Sequence, residues 1–298
     1  MSDLPKGING GWVDDPDAVA EITALQPYET FGDTPAGQVE DVPAFVFGWK
    51  VYEKVMGKSW PARSQGQVGS CVSFGTVAAI EYTMVSEIAR GEPEAFSPLS
   101  QEVIYAGSRV EVGRGRVRGD GSVGAWAAEF VKQWGVLPRE IVGKYDLREY
   151  NEKRCREWGN TGVPDDIEPL AKLHPIHGVT KVTTVEQAQR AIASGYGISV
   201  CSNQGFTMRR DEKGFATATG RWAHCMAIIG YQTDKGLSFW ICNSWGTNTM
   251  TGPVGAGDPP PCGFWAEGSV VARMLAAGDS WAFSDAVGFP AKSIPWII

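Results

Sequence analysis

The sequence predicts an α+β protein whose helical part comes first and whose strand-rich part follows. Apolar residues recur at helical spacing between residues 71 and 134. Four short β-rich runs, punctuated by Gly or Asp, lie between residues 198 and 267. The two kinds of element are segregated along the chain, as in α+β architectures.

Each element has a local reason. Ser70 precedes a helical stretch over 71–90, and Gly91 with Pro93 ends it. Phe74, Val77, Ala78, Met84, Val85 and Ile88 form its stripe, interrupted at Glu81. Ser100 caps a helix over 101–108, a third helix runs over 125–134 and stops at Gly135, and a fourth occupies 185–194 after Thr184. Strands are expected over 198–201, 223–231, 237–243 and 263–267. Residues 1–54 are rich in Gly, Pro, Asp and Glu, with one short helix near 17–25. They read as an N-terminal extension, either a permanent arm or a short inhibitory pro-segment, with the arm preferred because the segment is short and lacks a long amphipathic helix. Residues 55–275 form the domain, and 276–298 a C-terminal tail packed on it.

Composition narrows the function. With 43% hydrophobic residues in 298, the chain can bury a full-sized core. A net charge of −7 argues against a broad electrostatic grip on nucleic acid. No apolar run approaches the ~18–20 residues needed to cross a bilayer, and no Sec-type signal is visible, so no membrane partner is expected. Six cysteines are too sparse for a disulfide scaffold. These features suit a cytoplasmic or other reducing compartment, or export by an unusual route.

Three segments carry chemistry. Cys71 starts the long helix, after Gln65-Gly66-Gln67-Val68-Gly69-Ser70. A helix N-terminus offers free N–H groups and positive potential, which favour a thiolate. The alternative is a small buried cysteine. A thiol nucleophile needs a base that titrates near neutral pH, and the chain has only three histidines, His174, His177 and His224. His224 begins an apolar strand, where a satisfied structural histidine is the rival reading. Asn243, in Asn243-Ser244-Trp245-Gly246, could orient an imidazole by accepting its N–H, and Trp245 could shield that bond.

Taken together, these segments resemble the papain-like cysteine peptidases. The order is Gln-Gly-x-x-Gly-Ser-Cys at 65–71, a His-led strand at 224–231 and Asn-Ser-Trp-Gly at 243–246. His224 and Asn243 follow Cys71 at separations slightly above the ~130–150 residues usual for the family. Phe96-Ser97-Pro98-Leu99-Ser100, Gly119-Asp120-Gly121-Ser122 and Gly263-Phe264-Trp265 resemble other family segments, so the likeness spans about residues 60–270.

The resemblance implies a helical left subdomain carrying Cys71 and a β-barrel-like right subdomain carrying His224 and Asn243, with a cleft between them. It implies Cys71 as nucleophile, His224 as proton carrier and Asn243 as the holder of the imidazole ring. Gln65 and the Cys71 N–H would form an oxyanion hole, in which one donor is worth ~3–4 kcal/mol. Gly121, Ser122 and Trp245 would border the substrate. The reaction would be peptide hydrolysis through a thioester, on a peptide or protein substrate, with no metal or organic cofactor. An acyl transferase or deamidase on the same site, and a non-catalytic protein retaining the fold, are the rivals. Family members usually carry Cys and Trp where this chain has Val68 and Val72; Val68 removes one partner of a family disulfide.

Further expectations concern the remaining residues. A hairpin centred between Thr233 and Asp234 would set His224 opposite Asn243 and Cys225 opposite Cys242, as two packed thiols. His174-Pro175-Ile176-His177 lacks the paired cysteines of a zinc site. The stretch 109–118 reads as a solvated loop, and 248–262 as a surface loop near the rim of the cleft.

Overall fold

The structure, a computed structural model, describes residues 4, 7–25, 30–92 and 95–284. In chain order the elements are α1 (Pro16–Leu25), β1 (Phe45–Phe47), α2 (Gly48–Met56), α3 (Cys71–Ala89), α4 (Gln101–Gly107), α5 (Gly124–Gln133), β2 (Ile141–Val142), β3 (Tyr145–Asp146), α6 (Glu152–Thr161) and α7 (Glu168–Ala171). They continue with β4 (Gly178–Lys181), α8 (Val185–Ala193), β5 (Ile198–Arg210), β6 (Ala216–Gln232), β7 (Ser238–Cys242), β8 (Gly263–Glu267), α9 (Gly268–Leu275) and β9 (Asp279–Ser284). The expected helices and strands are all present.

Helix α3 organises the molecule. Its apolar residues surround it on every side, the pattern of a helix buried along most of its length. The reason is that two cores share it. Ala78, Tyr82 and Val85 join a core with the sheet, while Cys71, Val72, Val77 and Ile80 join a second core with α4 and α5. The break at Glu81 is a buried ion pair: Arg63 lies 2.6 Å from its carboxylate, and the Leu99 N–H donates to it at 3.0 Å.

The sheet is antiparallel, in the order β4-β9-β5-β6-β7-β8, with β1 also paired to β6. No pairing joins β4 to β8 among the described residues, so the right half is an open sheet rather than a closed barrel. Strands β5 and β6 run well past their apolar stretches. Their outer halves carry polar residues that a hydropathy reading passes over, held by a ladder with several register shifts.

Both chain ends depart from the sequence reading. Residues 45–54, counted with the extension, form β1 and most of α2. Phe47 stacks on Trp49 at 5.1 Å, and Trp49 packs on Trp240 and Trp265 at 5.5 and 5.9 Å, anchoring this stretch in the core. Residues 279–284, read as part of a tail, are an interior strand between β4 and β5. Residues 276–278 form the turn that leads into it, and residues 285–298 lie outside the described residues.

Helix α6 was missed because its sequence is mostly polar. Its one local signal is Asn151, whose side chain accepts from the Arg154 N–H at 2.9 Å.

The expected β6–β7 register is two residues out. Ala227, not Cys225, pairs with Cys242, and a bulge interrupts the ladder between Ile228 and Gly230. Cys225 therefore lies beside Cys201 on β5, and the Cys242 sulfur lies 3.9 Å from that of Cys262. All six cysteines are free thiols. Arg109, placed in a solvated loop by the sequence, is buried; its guanidinium donates to the carbonyls of Gly119, Gly121 and Gly159. Arg114, Arg116 and Arg118 are exposed. The 248–262 loop is pinned by Arg210, which donates to the carbonyls of Gly252, Pro261 and Gly263.

Helix α3 and the entry to strand β5 meet almost backbone to backbone at Gly197, where a Cβ would lie 2.1 Å from the Ala79 carbonyl oxygen. Gly197→Ala is expected to lower the unfolding free energy by about 1–3 kcal/mol, the usual cost of overpacking. A urea midpoint equal to that of the parent chain would refute this close contact.

Candidate active site

The two halves are stitched together directly below the candidate residues. The Gln65 N–H donates to the Ser244 carbonyl at 2.9 Å, the Gly246 N–H donates to the Arg63 carbonyl at 2.9 Å, and Ser64 bridges Trp245. The 65–70 loop is held from the other side by Tyr150, whose hydroxyl donates to the Gln65 carbonyl at 3.2 Å and lies 3.1 Å from Ser70 Oγ. Asp120 accepts the Gly69 N–H at 3.0 Å.

Cys71 is the first residue of α3 and is fully buried. Its sulfur accepts the N–H of Cys225 at 3.4 Å, so it rests against the backbone of the residue after His224. His224 is also fully buried on β6. Its Nε2 lies 2.8 Å from Asn243 Oδ1. That same Oδ1 accepts the Ser244 N–H at 2.7 Å, which identifies it as the oxygen. Nε2 therefore carries the proton, and Nδ1 keeps its lone pair. Nδ1 has no hydrogen-bond partner among the described residues. Trp245 stacks on the imidazole, with ring centroids 4.4 Å apart and planes at 26°.

Electrostatics make this a neutral pair. Burial, reinforced by the neighbouring Cys225 thiol, pushes the Cys71 thiol well above its ordinary value. Burial pushes His224 down to about 4, against the smaller upward pull of Asn243. The thiolate–imidazolium pair suggested by a helix-tip cysteine is absent from this state, and no hydrogen bond joins Cys71 to His224.

The cause of that burial is the segment before α1. The N–H groups of Gly11 and Trp12 reach the Ala223 carbonyl at 3.1 and 3.3 Å. Ser122 then pairs with the segment in parallel, donating to the Gly11 carbonyl at 2.8 Å and accepting the Val13 N–H at 2.9 Å. The Gln65 side-chain amide donates to the Gly10 carbonyl at 3.0 Å and to the Val68 carbonyl at 2.9 Å. Its Oε1 accepts Ser244 Oγ at 2.7 Å, and Trp245 Nε1 donates to the Asn9 carbonyl at 3.2 Å. Only glycine passes here: a Cβ on Gly10 would lie 2.2 Å from the Ala223 oxygen, and one on Gly11 2.0 Å from the Gly69 oxygen.

The structure thus gathers Gln65, Cys71, His224, Asn243 and Trp245 into one cluster. Gly121 and Ser122 lie farther along the same segment. Gly121 is turned inward, its N–H donating to the Tyr105 hydroxyl at 3.0 Å. The sequence reading missed Gly10, Gly11 and Trp12, whose one signal was the paired glycines, and Ser244, which orients the Gln65 amide. His174 and His177 are exposed on a distant turn, and no metal-holding group of three ligating side chains occurs among the described residues.

The family model for papain family cysteine proteases matches residues 48–252. The chain belongs to this family. Its likeness to individual members is modest. A thiol protease of Hemerocallis is 26% identical over 227 residues, covering 74% of this chain and 53% of the relative. Cysteine proteinase 2 of Entamoeba histolytica is 26% identical over 199 residues, covering 64% and 57%. The chain thus spans about half the length of the curated relatives it matches. Among solved structures, xylellain, a cysteine protease from Xylella fastidiosa, superposes with a TM-score of 0.58 at 16% identity, covering 95% of this chain and 94% of the other. Digestive procathepsin L 3 of Tenebrio molitor gives 0.53 at 14% identity, covering 90% and 79%. These structural likenesses establish the papain-like fold.

The buried imidazole sets a pH dependence. Its folded value of about 4 lies below the ~6.5 of an unfolded histidine. Between those values the unfolded chain binds the extra proton, so stability falls as pH drops from about 6.5 toward 4. His224→Gln is expected to remove about 2–3 kcal/mol of the stability difference between pH 7 and pH 4.5. Urea titrations of both proteins at the two pH values measure it; identical differences would refute a neutral buried imidazole.

Proposed function

We propose that this chain hydrolyses peptide bonds through an acyl-thioester on Cys71. The observation that carries the reading is the His224–Asn243 bond beneath Trp245, which fixes the tautomer and leaves the Nδ1 lone pair available. Nδ1 takes the Cys71 proton as the sulfur attacks the scissile carbonyl carbon. The carbonyl oxygen, now negative, is received by the Gln65 amide and the Cys71 N–H. The imidazolium then protonates the leaving amine, the C–N bond breaks, and a thioester remains. Water, deprotonated by Nδ1, attacks the thioester and releases the acid, and the thiol recovers its proton. Asn243 keeps the ring from rotating during both transfers.

In the described state this cycle cannot start. The Gly10 carbonyl occupies the Gln65 donor, and residues 9–13 cover the thiol. The segment runs from the Gln65 and Trp245 end toward Ser122. A substrate would run the other way, with its acyl part along Gly121 and Ser122 and its leaving amine toward Trp245. The segment therefore blocks the groove and offers no correctly placed carbonyl for attack. Its departure would hydrate Cys71 and His224 and ease the burial that holds both neutral. Residues 9–13 accordingly act as a plug on the site, while β1 and α2 belong with the working domain. The free thiols, with Val68 packed against Tyr105 and Cys155, suit a reducing compartment.

The test is hydrolysis of a fluorogenic peptide panel, with intact-mass detection of the thioester. Cys71→Ala is expected to lower kcat/KM by more than about a thousandfold, and Gln65→Ala by about a hundredfold or more. Turnover that survives Cys71→Ala would end the proposal. A separate measurement addresses the plug. Gly11→Ala, which cannot fit against Gly69, is expected to speed iodoacetamide labelling of Cys71 at least about tenfold, one decade being ~1.4 kcal/mol of lost closure. An unchanged rate would show that the segment does not limit access.

A further inference from the structure

Strands β7 and β8 carry a pair of thiols at their adjoining ends. Cys242 is the last residue of β7, and Cys262 belongs to the turn that enters β8. Their sulfurs lie 3.9 Å apart, within reach of an S–H···S hydrogen bond. Cys242 is the ladder partner of Gly263, so Cys262 stands one residue off, diagonally across the pair. Opposite Cα atoms of an antiparallel ladder are ~5 Å apart, and one step along a strand makes the diagonal about 6 Å. A disulfide needs ~4.4–6.8 Å between Cα atoms. Rotation of the two side chains is then enough to join the sulfurs. The chain between them, residues 243–261, starts with Asn243, Ser244 and Trp245 and includes the loop pinned by Arg210.

The six thiols are not equivalent. Burial pushes those of Cys71, Cys155 and Cys201 up. Cys242 moves the other way. A hydrogen bond from the Cys262 thiol favours its thiolate, and the Arg63 guanidinium adds to this, against the cost of burial. The same bond, together with burial, pushes Cys262 well up. Thiol–disulfide exchange begins with a thiolate, so Cys242 is suited to attack and Cys262 to resolve. Position agrees with this chemistry. β8 is the edge of the sheet, and 6% of the Cys242 surface is open to solvent. Cys201 and Cys225 also face each other, across β5 and β6, but they lie in the interior beneath α3, where Cys225 packs on Gly75.

We propose that Cys242 and Cys262 are a redox modification site: low-molecular-weight disulfides convert the pair to a disulfide that ties together the two ends of the 243–261 segment. The Cys242 thiolate attacks one sulfur of the small disulfide. That S–S bond breaks, and the departing thiolate takes the proton that Cys242 gave up. Cys262 then attacks the Cys242 sulfur. The Cys242–Cys262 bond forms, and the second small thiolate leaves with the Cys262 proton. Two protein thiols are oxidised, and one small disulfide is reduced to two thiols. Excess small thiol runs both steps backward. In reducing surroundings the pair stays a dithiol, and in oxidising surroundings it becomes a staple beside Asn243. The staple removes freedom from the unfolded chain and holds the strand end from which Asn243 reaches His224. It stands whether or not Cys71 cuts peptides.

The test treats the full, unaltered chain with oxidised glutathione under native conditions. Non-reducing peptide mapping by mass spectrometry is expected to show one cross-link, between the peptides that hold Cys242 and Cys262, and dithiothreitol is expected to reverse it. These two thiols are expected to disappear about tenfold or more faster than any of the other four. In urea, the unfolding equilibrium constant of the bridged chain is expected to be about a hundredfold smaller than that of the reduced chain. Retention of both thiols, a Cys201–Cys225 bridge that forms as fast, or equal urea midpoints for the two forms would overturn the proposal.

Single variants separate the two steps. Cys262→Ser removes the resolving sulfur and is expected to leave Cys242 as a mixed disulfide with glutathione. Cys242→Ser removes the attacking sulfur, and capture of glutathione at Cys262 is expected to be about tenfold or more slower than capture at Cys242 in the other variant. Equal rates in the two variants would overturn the assignment of attacking and resolving sulfurs. Cys71→Ala is expected to form the bridge at the parent rate. A slower rate there would show that the oxidant acts through Cys71, and would overturn the site as an independent one.

Discussion

Burial of helix α3 against the sheet is the constraint on which the rest depends. The helix is wrapped by two cores, and it meets the entry to β5 at Gly197 with no side chain between the backbones. That contact holds the helix against the sheet. Its first residue, Cys71, falls against the N–H of Cys225, one residue from His224. Neither group is positioned by a flexible loop of its own. Both inherit their places from regular elements, which is how a rigid scaffold holds reacting groups to sub-ångström tolerance.

The same burial governs the charge state. A sulfur and an imidazole sealed from water both favour their neutral forms, and the shifts of Cys71 and His224 run in opposite directions for that one reason. Residues 9–13 complete the seal. They do so with main-chain groups: the Gly10 carbonyl on Gln65, and the Gly11 carbonyl and Val13 N–H on Ser122. Main-chain pairing makes few demands on side-chain identity, except at Gly10 and Gly11, where the walls approach too closely for a Cβ, and at Trp12, which reaches Asp279.

The departures from expectation share a physical origin. Hydropathy located the cores of β5 and β6 but not their polar outer halves, because ladder hydrogen bonds form regardless of side chain. Polar α6 was invisible to an apolar stripe. The pairing of Cys225 with Cys242 failed at the turn, since β6 and β7 pair about a centre at Lys235 rather than between Thr233 and Asp234, and the bulge shifts the ladder by only one residue. Arg109 looked solvated because its partners, the carbonyls of Gly119, Gly121 and Gly159, are backbone groups of other segments. Residues 45–54 looked like a loose arm because β1 is three residues long and gains its stability from β6 and the tryptophan cluster.

What the sequence determined by itself was chemical identity and order: a cysteine at a helix start, one histidine leading an apolar strand, an asparagine followed by tryptophan, and helices before strands. These are local features, written in neighbouring residues and their spacing. What only the tertiary structure decided was proximity and environment. The Asn243 oxygen sets the tautomer of His224, the segment through Gly10 and Gly11 closes the groove, and Asp279 lies beneath Trp12 although 267 positions separate them. Burial and electrostatics depend on which distant segments meet, and that follows from packing the whole chain, not from any window of it.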